Sequence, residues 1–352
     1  MLTQLARDGS VARILDLAVR AHELFNDETL MLLTLPIPGP CDPPARHTVS
    51  LSSHLVDAAL AFILFCAKSE EDQYADGEAF FPTLHDLQYP GTVQALLGHF
   101  LQTPRHGVTF TRIRVREGHF TTMLAAARAL PRAQFVESGQ SQPVRVLFAD
   151  PCIGGGVLYK KGAQEEALLR EAPSLLAVMP LATYLECGDR VSQAQEALVL
   201  AAEGGPTFVA LDAARFQVLV PPYFPAAADQ FSEEWVAREA SKALAGFLGT
   251  NGGQREGDEE RVAVSTAAWG CGTYKGDVAL KFVLQWLAAA AAGVSLVWEC
   301  SHPPASTFSE EHGSVVHALS SVSPSDVWAR VCQYGRTPVG QRGDFCQFLL
   351  GK

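Results

Sequence analysis

Two stretches of this chain carry residue types and spacings that could do chemistry. In the first, Gly154-Gly155-Gly156 is followed after seven residues by Gln164-Glu165-Glu166. Successive glycines have no Cβ and reach positive φ without penalty, so their amide groups can lie close against a bulky anion. Two adjacent carboxylates shortly downstream can exchange protons in an acid/base step. The pairing fits an enzyme that acts on a sugar joined to a phosphate. The second stretch, Trp269-Gly270-Cys271-Gly272-Thr273-Tyr274-Lys275-Gly276-Asp277, offers another glycine loop. Either loop alone reads as a tight turn, and a lone Glu-Glu at a helix start reads as a solvated face favoured by the helix dipole. Their conjunction is what points to a ligand. Neither loop follows the pattern GxxxxGK[ST], so Walker-type nucleotide hydrolysis is disfavoured.

The elements around these loops are legible as an alternation. Period-two patterning predicts strands at 108–115 and 144–149, and apolar runs predict buried strands at 196–202, 207–211, 262–267 and 294–298. Helical spacing predicts helices at 165–171, 235–247 (amphipathic), 277–292 and 323–334. Each glycine loop then leaves a strand and enters a helix, which is where sheets of this kind bind ligands, with amides and the helix dipole aimed at an anion. The first ~105 residues read differently, as helices at 10–25, 50–67 and 93–100 with a Pro-rich break at 36–44 and an acidic loop at 69–77. The expectation is a helical accessory region, 1–105, and an α/β layered domain, 106–352.

Composition narrows the function classes. The chain has 352 residues, 48% of them hydrophobic and 18% charged, enough for a large core. A net charge of −11 disfavours general binding of DNA or RNA, which needs basic patches. An anion would have to be held locally by amides and helix termini instead. Eight cysteines form no CxxC and no zinc spacing, and ten histidines are scattered, so reduced thiols, no metal and no cofactor are expected. The N-terminus lacks a basic segment leading into an apolar run, so no signal peptide is read there. The apolar stretch 278–297 is interrupted by Lys281 and Gln285 and reads as a buried helix running into a strand, so no membrane contact is expected.

The Gly-Gly-Gly, seven residues, Gln-Glu-Glu pattern, with the second segment Trp269 to Asp277, resembles the signature segments of the poly(ADP-ribose) glycohydrolases. Weaker similarity extends to Val108–Arg112 and Ser325–Trp328. The resemblance implies a macrodomain-like mixed sheet flanked by helices, with an N-terminal all-helical lobe. It implies hydrolysis of the ribose–ribose O-glycosidic bond of poly(ADP-ribose), with release of ADP-ribose. Carried over by position, Glu166 is the general acid/base, Glu165 orients the distal sugar, and Gln164 helps fix the loop. Gly154, Gly155, Gly156, Gly270, Cys271, Gly272, Thr273, Tyr274 and Gly276 hold the ligand, and Asp150 meets the distal ribose. Such cleavage passes through an oxocarbenium-like state and needs a proton on the leaving oxygen. Repulsion from Glu165 would raise the pKa of Glu166 for that purpose. The implied partners are poly(ADP-ribose) or ADP-ribosylated proteins, with no direct DNA contact. The implied setting is a monomer in the nucleus or cytoplasm, in the DNA damage response.

The sequence departs from the family pattern at several points. Leu147 stands where an Asp is usual, Asp150 where an Asn is usual, and Ala268 where an Asn commonly precedes the Trp-Gly-Cys-Gly segment. Tyr274 replaces an aromatic that is usually Phe. No tyrosine-rich adenine loop follows the strand at 196–202, and Tyr223 is the nearest aromatic candidate. Three alternatives follow: an ADP-ribose-binding module without turnover, a hydrolase of a smaller ADP-ribosyl linkage, or an α/β domain whose glycine loops are only turns.

Overall fold

The computed structural model of the chain describes residues 10–19, 43–65, 89–102, 105–139, 142–150, 153–154, 156–158, 162–179, 194–216, 229–250, 261–300 and 305–352. Eight strands form one mixed sheet: β1 (Ala45–Leu51), β2 (Val108–Arg116), β3 (Ala133–Glu137), β4 (Val144–Ala149), β5 (Ala194–Ala202), β6 (Thr207–Asp212), β7 (Ala263–Thr266) and β8 (Ser295–Cys300). Their spatial order is β1-β2-β5-β6-β4-β7-β8-β3. The run β6-β4-β7-β8-β3 is parallel throughout, while β1, β2, β5 and β6 pair antiparallel in turn.

Side-chain alternation sorts the strands into two buried faces. Val108 and Phe110 of β2, Leu147 and Ala149 of β4, Leu198 and Leu200 of β5, and Phe208 and Ala210 of β6 face one core. That core is closed by α1 (Ser10–Val19), α2 (Ser53–Phe65), α3 (Pro90–Leu101) and α5 (Gln164–Glu171), with a 3₁₀ turn at Pro173–Val178. Ile113 and Val115, Val146, Ala197 and Val199, and Val209 and Leu211 face the other core. There the covering helices include α4 (Glu117–Ala126), α6 (Glu233–Thr250), α7 (Val278–Ala292), α8 (Ala305–Leu319), α9 (Pro324–Arg336) and α10 (Phe345–Leu349). The result is a three-layer sandwich, as the alternation of strands and helices implies.

The N-terminal region needs one correction. It is not all-helical, because β1 lies within it and pairs with β2 from Ala45–Arg114 to Leu51–Val108. The strand was hidden because it is an edge. Only Val49 and Leu51 are buried, and its outer positions are polar. Hydroxyl pairs hold its exposed side, Thr48 to Thr111 at 3.1 Å and Ser50 to Thr109 at 3.2 Å.

The 278–297 stretch is a helix running into a strand, as expected. Asp277 caps α7 by accepting from the Leu280 amide at 2.8 Å, and Gly293 ends it with φ +74°. Among the described residues, no helix is long and apolar enough to cross a membrane.

Helix α6 lies unusually close to the sheet. A Cβ on Gly246 would meet Val209 Cγ1 at 2.5 Å and Leu211 Cδ2 at 2.7 Å. Gly246→Ala should therefore lower stability by about 1–3 kcal/mol through overpacking, outweighing the ~1 kcal/mol that alanine gains in helix propensity. Denaturant unfolding checks this, and an unchanged or raised midpoint would show that α6 is free to move outward.

Candidate functional site

The parallel strands β6, β4 and β7 are neighbours, so the segments that leave their carboxyl ends share one edge of the sheet. Ala149 is in register with Asp212, which sets Asp150 beside the chain that leaves β6. The first glycine loop leaves β4 and the second leaves β7. This edge is where open α/β sheets take their ligands.

The pairing of β4 with β7 is confined to Arg145 and Ser265, which leaves the end of β4 unpaired on that side. The Gln164 amide fills the gap. Its Oε1 accepts from the Phe148 amide at 2.9 Å, and its Nε2 donates to the Val146 carbonyl at 2.7 Å. The start of α5 is thereby pinned to β4. The two glutamates that follow gather the loop around themselves. Glu165 accepts from the amides of Asp150 and Gly154, both at 2.8 Å. Glu166 accepts from Gly156 at 3.2 Å and from Ala163 at 2.7 Å, the latter as half of a capping box. Both carboxylates are buried, at 4% and 6% exposure. Gly162 is required beside them: its φ is +68°, and a Cβ there would fall on the Glu166 side chain. Gly154 also takes positive φ. Gly155 lies outside the described residues.

Burial pushes the Glu165 carboxyl up to about 8. The amides of Asp150 and Gly154 pull it down, and repulsion from Glu166 and Asp150 adds to the rise. Glu165 is therefore a protonated, neutral acid at pH 7.

The second loop is folded over the end of β6. Trp269 is buried and donates from Nε1 to the Leu211 carbonyl at 3.0 Å. Gly270 has φ +74°, and a Cβ there would meet Ala213 Cβ at 2.6 Å. The Gly276 amide closes the loop on the Gly270 carbonyl at 2.9 Å. Gly272 and Thr273 are exposed at its tip. The Cys271 thiol lies 3.6 Å from the Trp269 carbonyl, and its pKa is pushed up to about 12 by burial and by Asp277. It is a poor nucleophile. The Tyr274 carbonyl accepts from the Phe216 amide at 2.9 Å, tying this loop to the segment after β6.

A residue not singled out in the sequence joins all three segments. The Arg215 guanidinium lies over the Tyr274 ring, 4.9 Å from its centroid, and 3.7 Å from Asp150 Oδ2. Nothing around Arg215 in the sequence marks it. The usable signal is topological, because β6 adjacent and parallel to β4 must deliver its exit loop to the same edge.

Beneath the edge lies a buried ionic cluster. Asp212, at the end of β6, pairs with Arg238 at 2.7 Å and with Lys242 at 2.6 Å. Glu239 pairs with Arg238 and Lys281, and accepts from the Ala214 amide at 3.1 Å. Lys281 Nζ also sits 4.0 Å from the centroid of the Trp269 ring. Burial raises the Asp212 carboxyl, but Lys242 and Arg238 outweigh it and hold the group below its ordinary value. Burial pushes Lys281 well below the usual lysine value. Arg238, Glu239 and Lys242 lie in the amphipathic segment 235–247, and all three are buried.

The departures have clear placements. Leu147 is fully buried in the core on one face of the sheet and cannot reach a ligand. Ala268 accepts from the Cys271 amide at 3.1 Å within the second loop's turn. The β5–β6 connection is a tight turn over 203–206, with Gly205 donating to Ala202 at 3.0 Å and Ala202 to Pro206 at 3.2 Å. It has no room for an aromatic loop. Tyr223 lies outside the described residues. Among the described residues, no group of three or more His, Cys, Asp or Glu comes together in a metal-holding arrangement.

With this geometry in hand, comparisons with known proteins are informative. Residues 195–306 match the family model described as Poly (ADP-ribose) glycohydrolase (PARG), Macro domain fold. That span runs from β5 through β8 and contains the second glycine loop. Over that span the chain is similar to this family. It is 27% identical over 85 residues to a probable poly(ADP-ribose) glycohydrolase 2 of Arabidopsis thaliana, a match covering 24% of this chain and 16% of that protein. A solved structure of a mutant poly(ADP-ribose) glycohydrolase from Deinococcus radiodurans in complex with ADP-ribose aligns with 15% identity and a TM-score of 0.38. That alignment covers 57% of this chain and 94% of the other.

The protonation of Glu165 has a consequence for stability. Its folded pKa of about 8 exceeds the ordinary 4.5, so the folded chain holds a proton that the unfolded chain has lost between those values. The associated stability is fully present below about pH 4.5 and is lost as pH rises through 8. Glu165→Gln should flatten this decline. Thermal melts of both proteins from pH 5 to 9 test it, and parallel curves would refute the assignment.

Proposed function

We propose that this protein hydrolyses the ribose–ribose O-glycosidic bond of poly(ADP-ribose) and releases ADP-ribose. The observation that carries this reading is the buried Glu165–Glu166 pair held by the amides of its own glycine loop, on the same sheet edge as the second glycine loop. The match over 195–306 supports the same reading.

In this reading the diphosphate of the terminal unit lies between the two loops, and the distal ribose faces α5. Glu166 protonates the leaving ribose oxygen and then deprotonates the attacking water. Glu165, neutral at pH 7, donates a hydrogen bond to the distal sugar without adding a negative charge beside the diphosphate. Gly154, Gly155, Gly156, Gly270, Gly272, Thr273 and Gly276 line the anion's path, with Tyr274 against the diphosphate-ribose. Cys271 contributes backbone only, since its thiol is turned to the Trp269 carbonyl. Gln164 acts as a positioning residue through β4. Residues 106–352 form the catalytic domain, and 1–105 the accessory region that backs it. The enzyme works as a monomer on poly(ADP-ribose) or ADP-ribosylated proteins, in the nucleus or cytoplasm during the DNA damage response, without direct contact to DNA.

Two observations favour a second reading, a module that binds ADP-ribose without turnover. All four oxygens of the two carboxylates accept backbone amides, and the tight 203–206 turn offers no cover for adenine. The shortened turn also relaxes what the pocket demands of its substrate, which would allow cleavage of a smaller ADP-ribosyl linkage.

A single assay separates these. Labelled poly(ADP-ribose) and mono-ADP-ribosylated protein are incubated with wild type and with Glu166→Gln, and ADP-ribose affinity is measured in parallel. Release from the polymer should fall by about 10²–10⁴ in the variant, with affinity for ADP-ribose retained. Binding without release by the wild type would establish the second reading. Release only from the mono-modified protein would establish the smaller linkage.

A further inference from the structure

The three segments that meet at the sheet edge bring together an acid, a base and an aromatic ring. Asp150 leaves β4, Arg215 leaves β6, and Tyr274 belongs to the second glycine loop. The Arg215 guanidinium lies 3.7 Å from Asp150 Oδ2 and 4.9 Å from the centroid of the Tyr274 ring. The side chains of Arg215 and Asp150 are 42% and 41% exposed, so solvent and solutes reach both. This differs from the cluster under the same edge, where Arg238, Lys242 and Lys281 are sealed from any ligand.

The charge balance of the edge gives this arrangement a purpose. Glu165, Glu166 and Asp150 place three carboxyl groups within one short stretch of loop. An anion that approached only these groups would be repelled. A guanidinium set against the outermost of the three cancels its charge. It also presents a planar fork that matches two oxygens of a phosphate, which a point charge cannot do. Stacking on Tyr274 fixes the plane of that fork and limits what is lost on binding. Asp150 accepts the Arg215 charge in the absence of ligand and can give it up, because an exposed pair of this length is weak.

We propose that Arg215 is the anion ligand of this edge. It exchanges Asp150 for the phosphate oxygens of a diphosphate, while Tyr274 holds the guanidinium in plane. Asp150 is then the counter-ion that parks Arg215, and it competes with the ligand for it. The identity of the diphosphate as ADP-ribose rests on the proposed function; the anion-binding role of Arg215 does not.

Titration calorimetry at low salt tests this with two probes, ADP-ribose and inorganic pyrophosphate, on wild type, Arg215→Ala, Arg215→Lys, Asp150→Asn and the double variant Asp150→Asn/Arg215→Ala. Both probes should bind the wild type, and Arg215→Ala should weaken each at least tenfold, with a shallower salt dependence. Arg215→Lys should restore only part of the loss, since it supplies charge without the fork. Asp150→Asn should tighten binding several-fold when Arg215 is present, by releasing it, and by a different factor when it is absent, where only repulsion is relieved. A purely structural role would not produce that coupling. Equal binding of ADP-ribose by wild type and Arg215→Ala would overturn the proposal and leave the ADP-ribose reading standing. Arg215-dependent binding of pyrophosphate without binding of ADP-ribose would uphold the proposal and overturn the reading. If the wild type binds neither probe, both fall.

Discussion

The structure depends most on the ionic cluster buried between α6, α7 and the end of β6. Arg238, Lys242 and Lys281 face Asp212 and Glu239, and all five side chains are almost fully removed from water. Taking such groups out of water costs several kcal/mol for each ion, and removing one partner of a buried pair typically destabilises by about 3–5 kcal/mol. A cluster of this kind tolerates little rearrangement, so it fixes one geometry. That geometry is transmitted directly to the edge above. Asp212 is the last residue of β6, Glu239 holds the Ala214 amide, and Lys281 underlies both Trp269 and the closing glycines of the second loop. A neighbouring pair of arginines, Arg112 and Arg114, closes on the buried Glu196 of β5 and extends the charged layer across the antiparallel half of the sheet.

On the first loop the same task is done by carboxylates and an amide instead of an ion cluster. Gln164 replaces the missing strand partner of β4, and Glu165 and Glu166 between them collect four backbone amides. These glutamates shape the loop and also face the edge where a ligand would lie. The two demands pull the same way in one respect. A carboxyl buried enough to organise a loop is a carboxyl whose charged form is penalised, and such a group can remain protonated at neutral pH.

Much of this was legible in the sequence because it obeys local rules. The strands β5, β6 and β8 follow from apolar runs, α7 from its helical spacing, and the conjunction of the two glycine loops from their strand-to-helix settings. What escaped depends on long-range placement. β1 escaped because an edge strand buries only Val49 and Leu51, which gives it no clear period. α4, β3 and α8 were overlooked between stronger signals. The burial of Arg238, Glu239 and Lys242 was not legible, since no pattern within 235–247 reveals that Asp212 and Lys281 will arrive to pair with them. Leu147 stood where an acidic residue is usual, and the alternation of β4 turns it into the core. Arg215 could be found only once β6 was known to lie beside β4 in parallel.

An acidic chain that handles an anion must suppress its own field at the point of contact, and three features of this edge act together to do so. The glycine loops bring backbone dipoles close to an anion with no Cβ in the way, the Gly154 and Gly156 amides being already engaged by Glu165 and Glu166. Glu165, with its pKa near 8, removes one negative charge at neutral pH from the group nearest the loop. Arg215 offsets the charge of Asp150 and remains within reach of solvent. None of these would suffice alone, because amides are weak against a full carboxylate, and a single guanidinium cannot cancel three. In the proposed reading the acid/base pair and the anion-binding edge are one electrostatic design: the burial that favours a neutral Glu165 also lowers the charge that a diphosphate meets on its way to Glu166.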